Sequence, residues 1–304
     1  MDATTHCPRC DAPRSSLVRD GFYHRIDDSK FIQRIRCKDC SKKFSNATFT
    51  KTYRQKRRRI NQTVRLCLAS NMCPRDIAEL VSVNIKTVAS RLVWLAKLSR
   101  EKNHHNLQAF LLKHGPITTV QFDDLLTFEH TNCKPLTVPM AVIDEVRIPL
   151  GFRIASIPAF GRLAALSRAR YGKRADASYK ARHELFQELK ALLPSDVHFK
   201  TDGHKQYPKL INKYFPQATH SIHISDRGSV VGQGELKKTR FDPLFTVNHS
   251  FANIRAKVNR LNRRTWCTTK HPDRLADHID IYIDVLCDRL ARQRKIEESN
   301  FAAA

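Results

Sequence analysis

Residues 117–125 read ITTVQFDDL, an alternation of apolar and polar side chains that predicts a β-strand ending in two aspartates, Asp123 and Asp124. Working outward, residues 136–143 (LTVPMAVI) and 151–158 (GFRIASIP) predict two further strands. Residues 167–178 are rich in Ser, Arg and Lys and read as a loop. Ala181, Leu185, Leu189 and Leu192 then mark an amphipathic helix. A fourth strand at 197–201 (VHFKT) runs into Asp202, a short helix follows at 207–215, and a fifth strand at 219–224.

Three consecutive strands, a helix, a strand, a helix and a strand form the element order of an α/β, ribonuclease-H-like fold. Its first and fourth strands are neighbours, so aspartates distant in sequence would meet on one sheet edge. Alternation places Asp124 on the Val120 and Phe122 side and Asp123 on the other. With the apolar side turned to the core, Asp123 is the candidate metal ligand and Asp202 its partner. Two Mg²⁺ ions need hard oxygen ligands and clamp both oxygens of a phosphodiester exchange. The last strong helix is expected at about 247–264, with Val247, Phe251, Ile254, Val258 and Leu261 as its buried stripe. Its neighbouring stripe is Asn248, Ala252, Arg255, Asn259 and Asn262, with no carboxylate at the start.

Upstream, CPRC at 7–10 and CKDC at 37–40 stand 26 residues apart. Each CxxC pair can offer two thiolates to one tetrahedral ion, so Cys7, Cys10, Cys37 and Cys40 predict a closed Zn²⁺ site. Short strands between the pairs complete the layout of a zinc ribbon. Residues 51–59 (KTYRQKRRR) carry six positive charges in nine positions and predict a phosphate-tracking arm, with Lys56, Arg57, Arg58 and Arg59 as contacts. Two helices meeting at the turn 81–84 follow, with Ala78, Val83 and Val88 apolar where a helix-turn-helix needs them. Asn84, Lys86, Thr87, Ser90 and Arg91 are expected to face outward at the start of the recognition helix.

The composition agrees with a polyanionic partner. Of 304 residues, 54 are Lys or Arg and 29 Asp or Glu, a net charge of +25. A hydrophobic fraction of 41% suffices for ordinary cores and excludes wholesale disorder. No apolar run approaches the roughly 18 residues of a membrane span. The start, MDATTHCPRC, has no apolar signal segment, so secretion is not expected. GQGELKK at 232–238 lacks the spacing of a phosphate-binding loop. The expected organisation is a ribbon (1–50), basic linker and helix-turn-helix (51–100), connector (101–116), core (117–290) and tail (291–304).

Residues 245–267, FTVNHSFANIRAKVNRLNRRTWC, resemble the terminal catalytic helix of bacterial insertion-sequence transposases of the DDE superfamily. The relatives meant carry a zinc ribbon and helix-turn-helix before a ribonuclease-H-like core. In many, a Glu-Arg pair precedes an Asn, a spaced Arg and an Arg-Leu-x-Arg-[Arg/Lys]-Thr-x-Cys run. Arg260, Leu261, Arg263, Arg264, Thr265 and Cys267 match that run, with Asn253 and Arg255 upstream. The resemblance extends to CPRC, to Phe122-Asp123-Asp124 and to Thr201-Asp202-Gly203. It implies a DNA transposase that binds element ends and target duplex, with structural Zn²⁺ and catalytic Mg²⁺, acting as a homo-oligomer on DNA in the bacterial nucleoid and cytoplasm. Asp123 and Asp202 would be catalytic. The family's Glu falls on Asn248, beside His249; Glu235, 33 positions after Asp202, is a rival third ligand. Arg255, Arg260, Arg263 and Arg264 would hold DNA phosphates. The departure from Glu also fits an inactive DNA-binding regulator derived from a transposase.

Overall fold

The computed structural model describes residues 6–224, 242–262 and 267–302, and the chain divides into two compact units, 1–64 and 65–304. Glu235, Arg263 and Arg264, with the 232–238 stretch, lie outside the described residues.

The first unit is a three-stranded antiparallel sheet in the order β1 (Leu17–Arg25), β2 (Lys30–Cys37) and β3 (Lys43–Phe44). Gly21, at φ +72°, sits where the β1–β2 register shifts between Arg19 and Phe22, a bulge that glycine permits. The unit's apolar centre is small: Cys7, Ala12, Cys37 and Phe44, flanked by Leu17, Ile35 and Cys40. So small a core needs another source of folding free energy.

The unit boundary falls within α1 (Asn61–Leu68). Next come α2 (Pro74–Leu80) and α3 (Ile85–His114). Cys73 caps α2 through its Sγ, which accepts from the Asp76 N–H at 3.4 Å. Asn84 caps α3, its Oδ1 accepting from the Lys86 N–H at 2.9 Å. α3 has 30 residues, so the expected third helix and connector are one continuous helix. It ends at Gly115, whose φ of +79° turns the chain out.

The remaining strands are β4 (Thr119–Phe128), β5 (Pro135–Ile143), β6 (Pro149–Phe152), β7 (Ala155–Ser156), β8 (His198–Thr201) and β9 (Thr219–Ile222). Their order is β6-β5-β4-β8-β9, with β7 also on β5. β4, β5 and β6 are antiparallel; β8 runs parallel to β4, and β9 parallel to β8. The expected strand at 151–158 is thus split into β6 and β7. The expected loop at 167–178 contains α4 (Ala164–Tyr171), and α5 follows (Ser178–Leu189). α6 (Tyr207–Tyr214) links β8 to β9, and α7 (Phe245–Lys257) and α8 (Pro272–Ala302) complete the fold.

The sheet is covered on both faces. Val120 and Phe122 pack with α5 and α6 side chains such as Leu185, Phe186, Leu210 and Ile211. Leu125, Val138 and Met140 pack with Val247, Phe251 and Ile254 of α7 and Leu275, Ile279 and Tyr282 of α8. All nine β5 residues are accordingly buried. The expectation of a single apolar core side is corrected: Asp123 and Asp124 each point into a covered face.

α8 also binds the helices expected as a separate domain at 51–100. Asp284 and Asp288 take Arg65, Asp277 and Asp280 take Arg100, and Lys102 bridges Asp284 and Asp288. Ser99 Oγ donates to Asp284 at 2.9 Å. These ties join α1 and α3 to α8 within one unit. The expected tail from 291 continues α8 instead. Among the described residues no helix is long and apolar enough to cross a membrane.

Candidate functional site

The two cysteine pairs fold alike. The Cys7 N–H donates to Ala12 O at 2.9 Å and the Cys37 N–H to Lys42 O at 3.0 Å. The residue after each pair, Asp11 and Ser41, is left-handed at φ 58°. These matching turns aim four sulfurs at one point, all ligand atoms lying within 4.8 Å of one another. Cys7 and Cys40 sulfurs are 3.6 Å apart, Cys10 and Cys37 sulfurs 3.7 Å. A regular tetrahedron with bonds of about 2.3 Å has edges of about 3.8 Å, so the spacing suits Zn²⁺. Burial raises the Cys7 thiol, but the backbone N–H groups of Cys10 and Arg9 and the sulfurs of Cys40 and Cys10 bring it to about 6. At Cys10 the Ala12 N–H lowers the thiol, but the neighbouring sulfurs and burial push it up to about 12. The four cysteines can therefore bind a metal ion, in keeping with a structural zinc.

The second candidate site lies where β4 adjoins the end of β8. Phe122 pairs with Thr201, the last residue of β8, so Asp123 and Asp202 each follow the final β4–β8 pair, near enough for their charges to interact. Burial pushes the Asp123 carboxyl up to about 7. The Asp124 N–H, donating to Asp123 Oδ1 at 2.7 Å, opposes this; the Asp202 and Asp124 charges add to it, and Arg255 relieves it. Asp202 is positioned by the His204 N–H, which donates to its Oδ1 at 3.0 Å. Tyr207 reports the same crowding, its hydroxyl raised by burial and then by Asp124, Asp123 and Asp202.

Asp124 belongs to the opposite face. Its Oδ2 accepts from Thr137 Oγ1 at 3.0 Å and from Arg182 Nε at 3.0 Å, and Arg182 Nη2 also binds it closely. Arg182 Nη1 donates to Gln206 Oε1, and the guanidinium lies 5.6 Å from the Tyr207 ring centre. One buried arginine thus braces β4, just beside Asp123, against the loop that follows Asp202.

α7 runs alongside β4. Near its start the Val247 N–H donates to Gln121 Oε1 at 2.9 Å; near its end Arg255 Nη2 donates to Leu126 O at 3.3 Å. Asp123 lies between these levels. The start is fixed by a polar knot: Thr246 Oγ1 and Gln121 Nε2 donate to Asp144 Oδ1, and Lys200 Nζ to Asp144 Oδ2, at 2.7–2.9 Å. Asn248 is exposed, and its Nδ2 donates to Asp242 Oδ2 at 2.8 Å. His249 is bonded to Asn253, with its ring 5.4 Å from that of Phe245. α7 stops at Lys257, earlier than expected, because Asn71 and Asn259 take over. The Asn71 N–H donates to Lys257 O, and Asn259 Nδ2 to Asn71 O. Arg260 therefore leaves the helix. It is half-buried, and burial with nearby Arg274 depresses its basicity.

Of the expected DNA contacts, Lys86 and Ser90 are exposed at the start of α3 and Thr87 is half-exposed. Arg91 is a correction. It is only 9% exposed, with its guanidinium 5.9 Å from the Trp94 ring centre. It stands three positions after buried Val88, on the inward stripe. In the linker, Lys56, Arg57 and Arg59 are exposed, but Arg58 is held by Asp27 through Nε at 2.7 Å and its own N–H.

Sequence reasoning missed Arg182, Gln121, Asp144 and Asp242, whose partners lie far away or in unremarkable loops. A cavity of about 1070 Å³ opens between α3, β6 and α8, lined by Leu107, Phe110, Leu150, Phe152 and Ile283; Asp123 and Asp202 are not among its walls. No family model matches the chain, and no curated protein matches it.

Proposed function

We propose that the chain is a Mg²⁺-dependent DNA transposase, with a zinc ribbon and helix-turn-helix serving a ribonuclease-H-like core. One observation carries the reading: Asp123 on β4 and Asp202, just past the end of the parallel neighbour β8, are close enough for their charges to interact, with Asp123 half-buried and its carboxyl driven up to about 7. Two carboxylates so placed repel each other, and a hard divalent cation is the partner that relieves them. The sheet order β6-β5-β4-β8-β9 and the family resemblance support the same reading.

Asp123 and Asp202 would hold the metal, with Asn248 completing the set through its amide oxygen. When bound, Mg²⁺ supplies Lewis-acid stabilisation of the phosphodiester exchange and activation of the attacking oxygen. Arg182 keeps the two aspartates in register, and Arg255 places positive charge beside Asp123, where a phosphate would approach. Lys86, Thr87 and Ser90 meet base edges of double-stranded element ends, and Lys56, Arg57 and Arg59 meet phosphates. Arg263 and Arg264, adjoining Arg260, are proposed as further phosphate contacts. A homo-oligomer on DNA in the bacterial nucleoid belongs to the same proposal. Asn248 in place of the family's Glu favours a second reading, a DNA-binding regulator without catalysis.

The test is joining of 3′ ends from the DNA flanking the coding sequence into a supercoiled plasmid. The proposal expects Mg²⁺-dependent products from the native chain. Asp123→Asn and Asp202→Asn should yield none, yet still retard the flanking DNA. Retardation without joining by the native chain would favour the regulator.

A further inference from the structure

Asp242 stands just before α7 and makes three short-range bonds there. Its Oδ1 accepts from the Leu244 N–H at 3.0 Å, its backbone O from the Phe245 N–H at 2.9 Å, and its Oδ2 from Asn248 Nδ2 at 2.8 Å. The first two fix the chain at the entry to the helix. The third reaches forward six residues to the side chain that occupies the family's Glu position.

We infer that Asp242 is a positioning residue that orients Asn248 and supplies, through it, the third negative charge of the metal site. This rests on the metal-site reading proposed above. A carboxylate only accepts hydrogen bonds, so the NH₂ half of the Asn248 amide must face Asp242. The amide oxygen then lies on the other side of the group and is the half offered to a cation. Without Asp242 the amide could turn over and present its NH₂ group, which repels a metal. Asn248 also shares a helical stripe with Arg255, seven residues on, whose charge is felt by Asp123. The site thereby holds two carboxylates directly and a third one hydrogen bond removed. Such outer partners commonly alter metal affinity by 10–100-fold when lost.

The experiment measures Mn²⁺ affinity in the full-length, zinc-loaded chain by the free-Mn²⁺ paramagnetic resonance signal. Asp242→Asn keeps the oxygen that accepts the Leu244 N–H, because Asn forms the same side-chain turn bond as Asp, but removes the charge. It should weaken Mn²⁺ about tenfold while leaving helix content unchanged. In an Asn248→Glu background the sign should reverse. Asp242 is then a like-charge neighbour of Glu, and Asp242→Asn should strengthen Mn²⁺ binding. A role in the turn before the helix alone predicts the same small effect in both backgrounds, and that result overturns the inference. So does unchanged Mn²⁺ affinity of Asp242→Asn when Asp123→Asn abolishes binding. Should Asp123→Asn also leave Mn²⁺ binding intact, the underlying site assignment falls with it.

Discussion

Replacing Asp123 by Asn should stabilise the metal-free protein at neutral pH. The Asp123 carboxyl sits at about 7 in the folded chain against an ordinary 3.8. Between those values the native state holds a proton that the unfolded state has released, so stability falls as pH rises through that window. Above pH 7 the cost is complete. A shift of about 3 units at 1.36 kcal/mol each sets it at about 4 kcal/mol, an upper figure that relaxation will lower to about 2–4. Asn retains the oxygen that accepts the Asp124 N–H and adds an NH₂ group compatible with Asp202. Thermal unfolding of both chains, freed of Mg²⁺ but zinc-loaded, should give a higher transition for Asp123→Asn at pH 8 and near-coincident transitions at pH 4. Asp280, also raised by burial to about 6, contributes equally to both chains and cancels in the difference. Millimolar Mg²⁺ should then raise the native chain's transition at pH 8 and leave the variant unchanged. A variant equally destabilised at pH 4 and pH 8 would refute the reasoning, because Asp123 would then be an ordinary packing residue.

Cys37→Ser should lower zinc content from about one ion per chain to none and make residues 6–64 protease-sensitive, while the 65–304 unit stays folded, as mass-mapped proteolysis will record. Arg182→Met strands the Asp124 carboxylate in a covered face, so denaturant unfolding should show a loss of about 3–5 kcal/mol. Arg59→Ala should reduce the salt dependence of DNA binding by about one unit of slope, measured by fluorescence anisotropy. Arg91→Ala should instead lower the melting temperature and leave that slope unchanged, since its guanidinium is buried beside Trp94.

The cysteine pairs were legible because a metal demands fixed spacing, and the structure brings all four sulfurs together. The strand-helix order was legible because period-two alternation marks the strands, and the parallel crossover sets β8 beside β4. Choosing Asp123 over Asp124 relied on one face being solvated, yet both are covered; what separates them is Arg182, 58 residues from Asp124. Arg91 was misplaced because a charged residue reads as solvent-facing, although its spacing from Val88 and Leu95 sets it inward. α8 escaped notice for the same reason. Asp277, Asp280, Asp284 and Asp288 look like a solvated face until Arg65, Arg100 and Lys102, about 180–220 residues earlier, dock on them. Pairing over that distance leaves no local pattern.

The most direct test of the account is anomalous diffraction from crystals of the zinc-loaded chain grown with Mn²⁺ as the stand-in for Mg²⁺. The account predicts a manganese peak about 2.1 Å from one carboxylate oxygen each of Asp123 and Asp202, with the Asn248 amide oxygen turned toward it. It also predicts zinc among Cys7, Cys10, Cys37 and Cys40, and Asp124 still held by Arg182. Manganese found only elsewhere, with Asp123 and Asp202 apart, would contradict it.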